Sequence, residues 1–376
     1  MPRYLVLNGP NLDLLGEREP DVYGSVTLAH LEEMCRAWGA ELGVQIETTQ
    51  SNHEGALIDM LHDARGAFDG VVFNPAAYTH TSYALHDAID AIRLPTVEVH
   101  ISNVAEREEW RKVSVIRPAC VHAIYGRGIE GYRWAIRHLF HRAEWPAETI
   151  RYADHADGIA EIRRPARPGV HAAVVLLHGG FWRHMWARDT MDGIAVDLAR
   201  RGYLTANVEY RRLGTGGGWP TTVRDVADAI EAVMGRDDVG PVAVIGHSAG
   251  GHLATIARTL GDRSYLPVSL GGVLDLDAAI AEGIGGGAPV DFLGDGDVAA
   301  ASPVAAVTAG EVIAVHGVDD DRVPISQARA YAAANPDCQL VELTEAGHFE
   351  FLERSDPAWL RVVELLDERF PVRSIG

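Results

Sequence analysis

The chain has 376 residues, more than one hydrophobic core usually supports, so its length predicts two domains. Hydrophobic residues make up 47% of the chain and charged residues 23%, a balance typical of folded globular proteins that excludes extensive disorder. The formal net charge of −20 disfavours nucleic acids and anionic membranes as partners, whereas small carboxylate substrates remain compatible with local basic pockets.

The cysteines and the N-terminus bear on the cellular compartment. Cys35, Cys120 and Cys338 are too far apart in sequence for a CxxC pair, so we expect no disulfide framework. The first residues, MPRYLVLNGPN, run from a short apolar stretch into a polar loop without the features of a signal peptide. No stretch approaches the roughly 20 apolar residues of a membrane span. These features predict a cytoplasmic protein.

The first 143 residues alternate short apolar runs with amphipathic segments. Apolar residues at helical spacing fill the intervals between runs, and a last helix is predicted over residues 131–142. The runs that predict strands are residues 4–7, 44–49, 70–73, 96–99 and 121–125. Strand–helix alternation of this kind predicts a parallel sheet covered on both faces.

A second α/β pattern follows a linker predicted over residues 144–150. Its predicted strands are residues 172–177, 204–208, 241–245, 268–274, 311–315 and 339–343. Two glycine-rich stretches, 214–218 and 283–287, do not lie between a strand and a helix start, so they are predicted as surface loops and not phosphate-binding loops. The sequence thus predicts two α/β domains without mutual repeats, over residues 1–143 and 151–376.

Polar residues follow three of the predicted strands in the first domain. Residues 8–11 come after the first strand, 74–82 after the third and 98–103 after the fourth. The carboxyl ends of parallel strands meet at one edge of the sheet, where open α/β sheets bind their ligands. We therefore expect these amides, imidazoles and hydroxyls to form one site.

The same loops carry motifs that together resemble the type II 3-dehydroquinate dehydratase family. In order they read NGPNLDLLGEREPDVYG, QSNHEG, FNPAAYTHTS, EVHISN, EREEWR and GIEGY, and they cover essentially all of residues 1–143. The resemblance implies a flavodoxin-like fold, usually assembled as a homo-oligomeric dodecamer. It also implies the anti elimination of water from 3-dehydroquinate through an enolate, in the shikimate or quinate pathway, without a metal or another cofactor.

The elimination needs a base, an acid and a group that stabilises the enolate. By resemblance Tyr23 is the base; a free tyrosine has a pKa near 10, and a nearby cation favours the phenolate, which is the role implied for Arg18. His100 matches the acid, and Glu98 on the same strand face would orient its imidazole. Asn11 matches the residue that holds a water at the enolate.

The family motifs also imply the residues that bind the substrate. Those matched to the carboxylate and the ring hydroxyls are Asn74, His80, Ile101, Ser102 and Arg111. Asp87 would contribute across a subunit interface.

A second group of motifs, in residues 151–376, indicates a serine hydrolase. The sequence GHSAG at 246–250 lies between a predicted strand and a predicted helix, which is the context of a nucleophile elbow centred on Ser248. Upstream, LHGGFW at 177–182 also follows a strand, where it would supply an oxyanion-hole N–H. The N–H groups predicted to form this hole are those of Gly180 or Phe181, joined by that of Ala249.

This half resembles the α/β-hydrolase superfamily, and its HGGFW and GHSAGGH motifs are similar to those of arylformamidases and small carboxylesterases. The triad order Ser, Asp, His of that superfamily matches His348 as the base. Three consecutive aspartates, 319–321, leave the acid open from the residues alone. Relatives place the acid four residues before a proline, which selects Asp320 by counting back from Pro324.

Two interpretations of the whole chain follow. The leading one is a dehydratase fused to an ester or amide hydrolase, acting on small molecules; the adjacency suggests that the hydrolase releases quinate or shikimate from esters. In the alternative, the first domain is an inactive oligomerisation scaffold, and the chain acts only as an esterase or formamidase. The unbroken catalytic set of the first domain speaks against a scaffold. No metal site is predicted, since the HExx pattern at His53 lacks its second ligand.

Overall fold

The computed structural model describes residues 1–17, 24–261 and 264–371. The chain divides into two compact units, Met1–Glu144 and Trp145–Gly376. Within the described ranges, no helix combines the length and apolar character needed to cross a bilayer.

Unit 1 is built on a five-stranded parallel sheet. Its strands are β1 Arg3–Asn8, β2 Gln45–Gln50, β3 Gly70–Asn74, β4 Thr96–His100 and β5 His122–Tyr125, and its α-helices are α1 Leu28–Glu41, α2 Glu54–Ala64, α3 Tyr83–Ile92 and α4 Glu130–Glu144. The strand order is β2-β1-β3-β4-β5, the flavodoxin-like order of a doubly wound sheet. The predicted fold class of the first domain is confirmed.

Helices cover both faces of this sheet because their apolar residues recur every three or four positions. Leu31 and Cys35 of α1 pack with Tyr132 of α4 on one face. Leu61 of α2 and Leu85 of α3 pack on the other. Each face is therefore a closed apolar layer, and the loops at the strand ends are left to carry polar groups.

Unit 2 is built on an eight-stranded sheet in the order β13-β12-β11-β10-β8-β9-β7-β6. Its strands are β6 Glu148–Arg151, β7 Ile159–Arg163, β8 His171–Leu177, β9 Leu204–Val208, β10 Val239–His247, β11 Leu266–Leu270, β12 Val312–Gly317 and β13 Cys338–Leu343. Its α-helices are α5 Asp192–Arg201, α6 Thr221–Met234, α7 Ala249–Ile256, α8 Leu276–Ala281, α9 Ala288–Leu293, α10 Val298–Ala301, α11 Ser326–Ala334 and α12 Pro357–Arg369. Strands β8 to β13 pair in parallel, and apolar clusters lie on both faces.

Strands β6 and β7 were not predicted from the sequence. They form an antiparallel edge, and β7 also pairs antiparallel with β9. The sequence of β6, ETIR, is largely exposed and shows no apolar alternation, whereas β7, IAEIR, buries Glu161 and Arg163 beside its apolar residues. The stretch 144–150, predicted as a linker, therefore holds the last residue of α4 and the first residues of β6.

Candidate active sites

A small cavity of ≈ 150 Å³ lies at the carboxyl ends of β1, β3 and β4 in unit 1. The sequence-predicted residues that line it are Asn11, Asn74, His80, His100, Ile101, Ser102 and Arg111. Arg18 and Tyr23, the predicted cation and base, lie outside the described residues. Asp87 is exposed on α3 and does not belong to this lining, so its predicted role across a subunit interface stays a prediction.

His100 and Glu98 form a buried pair at the end of β4. The Nε2 atom of His100 lies 2.7 Å from Oε1 of Glu98, and neither side chain is appreciably exposed. Residues two apart on a strand point to the same face, so β4 itself brings the two side chains together. Because the carboxylate occupies Nε2, Nδ1 is the nitrogen of His100 left for a ligand.

The carboxylate of Glu98 is held from several directions. The hydroxyl of Thr79 donates to Oε1, and Oγ of Ser114 lies 3.0 Å from Oε1 and 3.1 Å from Oε2. Arg117 lies 3.9 Å from the same carboxylate. Burial acts to raise the pKa of Glu98, but the hydrogen bond and charge of His100, the charge of Arg117 and the Thr79 hydroxyl outweigh it and lower that pKa to about 2. Glu98 is therefore a fixed negative charge behind the imidazole.

Asn74 is fixed by a buried chain of hydrogen bonds. Its Nδ2 donates to the hydroxyl of Tyr132 at 2.8 Å, and that hydroxyl donates to Oδ1 of Asn8 at 2.7 Å. The N–H of Ala76 donates to Oδ1 of Asn74 at 3.1 Å. With both of its polar atoms engaged, the side chain of Asn74 forms a rigid wall of the cavity.

His80 and Arg111, which line the cavity, both contact the exposed ring of Trp110. His80 Nδ1 donates to the carbonyl oxygen of Val113 at 2.7 Å, and its ring meets that of Trp110 edge-on at 5.2 Å. The guanidinium of Arg111 lies 4.0 Å from the Trp110 ring, and its Nε donates to Glu108 at 2.9 Å. Burial is the main cause that lowers the pKa of His80, which favours a neutral ring with Nε2 as an acceptor. His80 and Arg111 thus present to the cavity groups suited to an anionic, hydroxylated ligand.

Asn11 begins the short helical turn after β1 in a left-handed conformation, with φ 64°. Asparagine tolerates this region better than bulkier residues do. The backbone N–H of Asn11 donates to Oδ1 of Asn52 at 2.8 Å, and Asn52 Nδ2 donates to Asp13 at 3.1 Å. The two asparagines thus fix the turn and hold Asn11 at the cavity.

In unit 2, Ser248 stands on a sharp turn between β10 and α7. Its φ of 55° and ψ of −119° are strained values for a residue with a side chain, as expected of a nucleophile elbow. A Cβ at Gly246 would collide with the carbonyl oxygen of Gly250, and a Cβ at Gly250 would collide with that of Leu177. The two flanking glycines are therefore required by close backbone contacts.

Asp320 and His348 form the second histidine–carboxylate pair. Oδ2 of Asp320 lies 2.7 Å from Nδ1 of His348, and both side chains are buried. Oδ1 of Asp320 accepts hydrogen bonds from the N–H groups of Arg322 at 2.9 Å and Val323 at 2.8 Å. The neighbouring carboxylate of Asp321 is exposed to solvent. Among the three consecutive aspartates, Asp320 is the one that contacts the histidine.

Two further histidines surround this pair. His316 Nε2 lies 3.4 Å from Oδ2 of Asp320, while His247 Nε2 donates to the carbonyl oxygen of His348 at 2.8 Å. Burial acts to raise the pKa of Asp320, but hydrogen bonds from His316 and His348 outweigh it and hold that pKa well below its usual range. Since His247 precedes Ser248 in the chain, its contact brings His348 close to the elbow. The sequence analysis did not predict the contact between His316 and Asp320.

The predicted oxyanion loop follows β8. A Cβ at Gly179 would lie 2.9 Å from Cβ of Ser248, so the loop runs directly beside the elbow. Gly180 and Phe181 follow with φ of 102° and 52°. Ala249 is the first residue of α7, and its N–H therefore has no partner inside the helix. The loop at Gly179 and the start of α7 at Ala249 thus both lie directly beside Ser248.

The described residues contain no group of three or more His, Cys, Asp or Glu side chains that is arranged to hold a metal ion. Both sites consist of side chains and backbone groups that can move protons, stabilise anions and, at Ser248, attack an electrophile.

Comparison with known proteins matches each unit to a different family. Residues 2–140 match the family model Dehydroquinase class II, and residues 162–294 match the model BD-FAE. A 3-dehydroquinate dehydratase from Bacillus pumilus is 58% identical over 139 residues, which cover 37% of this chain and 95% of that protein. A catabolic 3-dehydroquinase from Verticillium alfalfae is 54% identical over 134 residues, which cover 36% of this chain and 89% of that protein.

A solved structure is similar to a larger share of the chain. Thermogutta terrifontis esterase 2, phosphonylated by sarin, has a TM-score of 0.52 and 24% identity, and the match covers 60% of this chain and 94% of that chain. At this identity the likeness concerns the fold alone, and it agrees with the α/β architecture of unit 2.

Proposed function

Because the chain belongs, over residues 2–140, to the type II dehydroquinase family, we propose that unit 1 dehydrates 3-dehydroquinate to 3-dehydroshikimate. The observation that carries this proposal is the cavity at the sheet edge, where His100 is held by Glu98. Asn74, His80 and Arg111 surround it with the amide, imidazole and guanidinium groups that suit a carboxylate and ring hydroxyls.

The proposed mechanism divides proton transfer between Tyr23 and His100. The Tyr23 phenolate, stabilised by Arg18, removes the proton next to the ketone, and the electron pair forms an enolate beside the water that Asn11 holds. His100, protonated and held through Nε2, then donates the Nδ1 proton to the departing hydroxyl. Water leaves as the enolate collapses to the conjugated enone, so no external oxidant or reductant is needed.

Replacing the proposed base tests the first activity. Tyr23→Phe keeps the ring but removes the acid–base hydroxyl, so we expect dehydration to fall by about a hundredfold or more, measured as growth of enone absorbance. Tyr83→Phe is the matched control, because the Tyr83 side chain is exposed. Near-normal dehydration by Tyr23→Phe would show that the base is another group. No dehydration by the wild-type chain would favour the scaffold alternative.

We also propose that unit 2 is a serine hydrolase of esters or amides, with Ser248, His348 and Asp320 as its triad. The Asp320–His348 pair carries this proposal, because it leaves Nε2 of His348 to take the Ser248 proton. The N–H groups of Gly180 or Phe181 and of Ala249 would stabilise the tetrahedral intermediate. The match of residues 162–294 to BD-FAE supports an esterase more than a formamidase.

A small panel of substrates tests the second activity and its class. We expect the full chain to hydrolyse a generic aryl ester, and Ser248→Ala to lower kcat by about a thousandfold or more. Ser264→Ala, at an exposed serine of the same unit, serves as the control. Quinate and shikimate esters compared with N-formylkynurenine distinguish ester from formamide preference. Unchanged hydrolysis by Ser248→Ala would refute the assignment.

We propose further that the protein is a cytoplasmic homo-oligomer, a dodecamer by resemblance to its family. The exposed position of Asp87, outside the cavity lining, is compatible with the substrate contact across a subunit interface that the family resemblance implies. Sedimentation analysis of the full chain tests it, and a monomer with full dehydratase activity would contradict it.

A further inference from the structure

The oxyanion loop of unit 2, residues 178–186, has an unusual backbone. Gly180, Phe181 and Trp182 are consecutive residues in the left-handed region, with φ of 102°, 52° and 57°. Phenylalanine and tryptophan rarely adopt this region, and such conformations persist only where surrounding contacts impose them. The direction of the N–H groups beside Ser248 therefore depends on what holds the loop.

One short segment, residues 209–213, holds the loop at its start. Oε1 of Glu209 accepts a hydrogen bond from Nε2 of His178 at 2.9 Å. The ring of Tyr210 stacks on the His178 ring at 4.3 Å, and its hydroxyl donates to the His178 carbonyl oxygen at 2.6 Å. His178 directly precedes the glycines that pass Ser248, so its position sets where the loop begins.

The same segment also holds the far part of the loop. The N–H of Leu213 donates to the carbonyl oxygen of Trp182 at 2.8 Å, and the guanidinium of Arg212 donates to that of Trp186 at 2.8 Å. A Cβ at Gly214 would collide with the ring of His184. The glycine-rich stretch 214–218, predicted from the sequence as a surface loop, thus begins in close contact with the oxyanion loop.

Buried charges fix the segment itself. Glu209 is 3% exposed and lies 3.0 Å from Nη1 of Arg212, while its Oε2 accepts from the N–H of Arg188 at 3.2 Å. Burial acts to raise the pKa of Glu209, but the charges of Arg212 and His178 and the His178 hydrogen bond lower it to about 2. A buried carboxylate so paired is costly to displace, which makes the segment a rigid support.

We propose that residues 209–213 clamp the oxyanion loop and that Tyr210 is a positioning residue for the hydrolase reaction, acting through His178. This proposal rests on the hydrolase function proposed above. An oxyanion hole stabilises the transition state only when its donors are aimed before the reaction begins, so loosening the clamp lowers kcat more than it weakens substrate binding.

A hydroxyl deletion tests the clamp with little change in packing. Tyr210→Phe keeps the ring that stacks on His178 and removes only the contacts of the hydroxyl with His178, at 2.6 Å from its carbonyl oxygen and 3.3 Å from its Nδ1. Tyr203→Phe is the matched control: Tyr203 is equally buried, lies just before β9 instead of just after it, and donates to Asp367 at 2.7 Å. Both variants and the wild-type chain are assayed with an aryl ester and with a trifluoromethyl ketone, which forms a tetrahedral oxyanion at an active serine.

For Tyr210→Phe we expect kcat to fall at least about tenfold and the Ki of the ketone to rise in parallel, while KM changes less than about twofold. Tyr203→Phe should keep kcat and the Ki of the ketone within about twofold of the wild type, even if its melting temperature falls. Wild-type values in Tyr210→Phe, or equal losses in both variants, would overturn the clamp alone. A wild-type chain without ester hydrolysis would overturn the hydrolase function and the clamp together.

Discussion

A buried carboxylate holds an imidazole in both units, but the two pairs use opposite nitrogens of the ring. Glu98 contacts Nε2 of His100, and Asp320 contacts Nδ1 of His348, each at 2.7 Å. The first arrangement leaves Nδ1 for the cavity, and the second leaves Nε2 for Ser248. The comparison shows how one chemical pair serves a proposed acid in an elimination and a proposed base in an acyl transfer.

The pairs also differ in how the fold supports the carboxylate. Glu98 lies on β4 with its histidine, and side-chain hydroxyls of Thr79 and Ser114 bind it. Asp320 lies on a loop, and its second oxygen is bound by backbone N–H groups. Backbone donors remain after every substitution except one by proline, so the two sites should respond differently to mutation of their surroundings.

Among the substitutions around the two histidine–carboxylate pairs, we expect the largest loss of activity from Asp320→Asn. The amide can present its NH₂ group to His348 and favour the wrong tautomer, so we expect kcat for ester hydrolysis to fall by about 10³- to 10⁴-fold. Asp321→Asn, at the adjacent exposed position, is the control and should leave kcat unchanged. A larger loss in Asp321→Asn than in Asp320→Asn would reassign the triad acid.

The second prediction concerns how the free energy of unfolding of unit 1 depends on pH through Glu98. The pKa of Glu98 is lowered from its usual 4.5 to about 2, so the unfolded chain takes up this proton first as the pH falls. The resulting stabilisation is fully present above about pH 4.5 and is lost as the pH falls toward 2; by linkage it amounts to about 3 kcal/mol. Urea unfolding of unit 1 should therefore show a weaker pH dependence between 5 and 3 in Glu98→Gln than in the wild type. An identical pH dependence would mean that this carboxylate is not stabilised in its ionised form.

The dehydratase activity of Glu98→Gln can be compared with the esterase activity of Asp320→Asn. The glutamine can still contact His100, but it no longer stabilises the protonated imidazole, so we expect kcat for dehydration to fall about 10- to 100-fold. The loss should be smaller than that of Asp320→Asn, because the ring remains on the same rigid strand. Separate measurements of kcat and KM check the cause: a loss confined to kcat supports an effect on the proton donor, and an equal rise of KM would indicate a purely structural effect.

The smallest effect is expected from the hydroxyls around Glu98. Thr79→Val or Ser114→Ala removes one of several hydrogen bonds to a carboxylate that stays paired, so we expect kcat for dehydration to fall only about three- to tenfold. Thr81→Val, at an exposed position, is the control. A loss as large as that of Glu98→Gln would mean that the hydroxyls, and not the charge, hold the imidazole.

The sequence predicted those features that depend on short-range pattern. Apolar periodicity located the strands of unit 1, and GHSAG located the turn at Ser248, because both signals lie within a few neighbouring residues. The hydroxyl partners of Glu98 escaped prediction, since Thr79 and Ser114 lie 19 and 16 residues away in sequence and meet it only in the folded chain. Tyr210 and His178 are 32 residues apart, and their contact likewise follows from tertiary packing.

Strand β7 was missed for another physical reason. Its buried Glu161 lies 3.1 Å from Arg163 and 3.1 Å from Arg188, so charged residues occupy positions that a hydrophobic pattern requires to be apolar. Buried charges are stable only when paired, and the pairing partners are distant in sequence. Apolar periodicity therefore cannot predict a strand whose buried positions are occupied by ion pairs of this kind.

We propose that one chain holds two independent active sites, each dependent on its own histidine. The most direct test of this proposal is to assay dehydration and ester hydrolysis in the same preparations of His100→Asn and His348→Asn. We expect each variant to lose one reaction by about a hundredfold or more and to keep the other within about twofold. Loss of both reactions in either variant, or of neither, would contradict it.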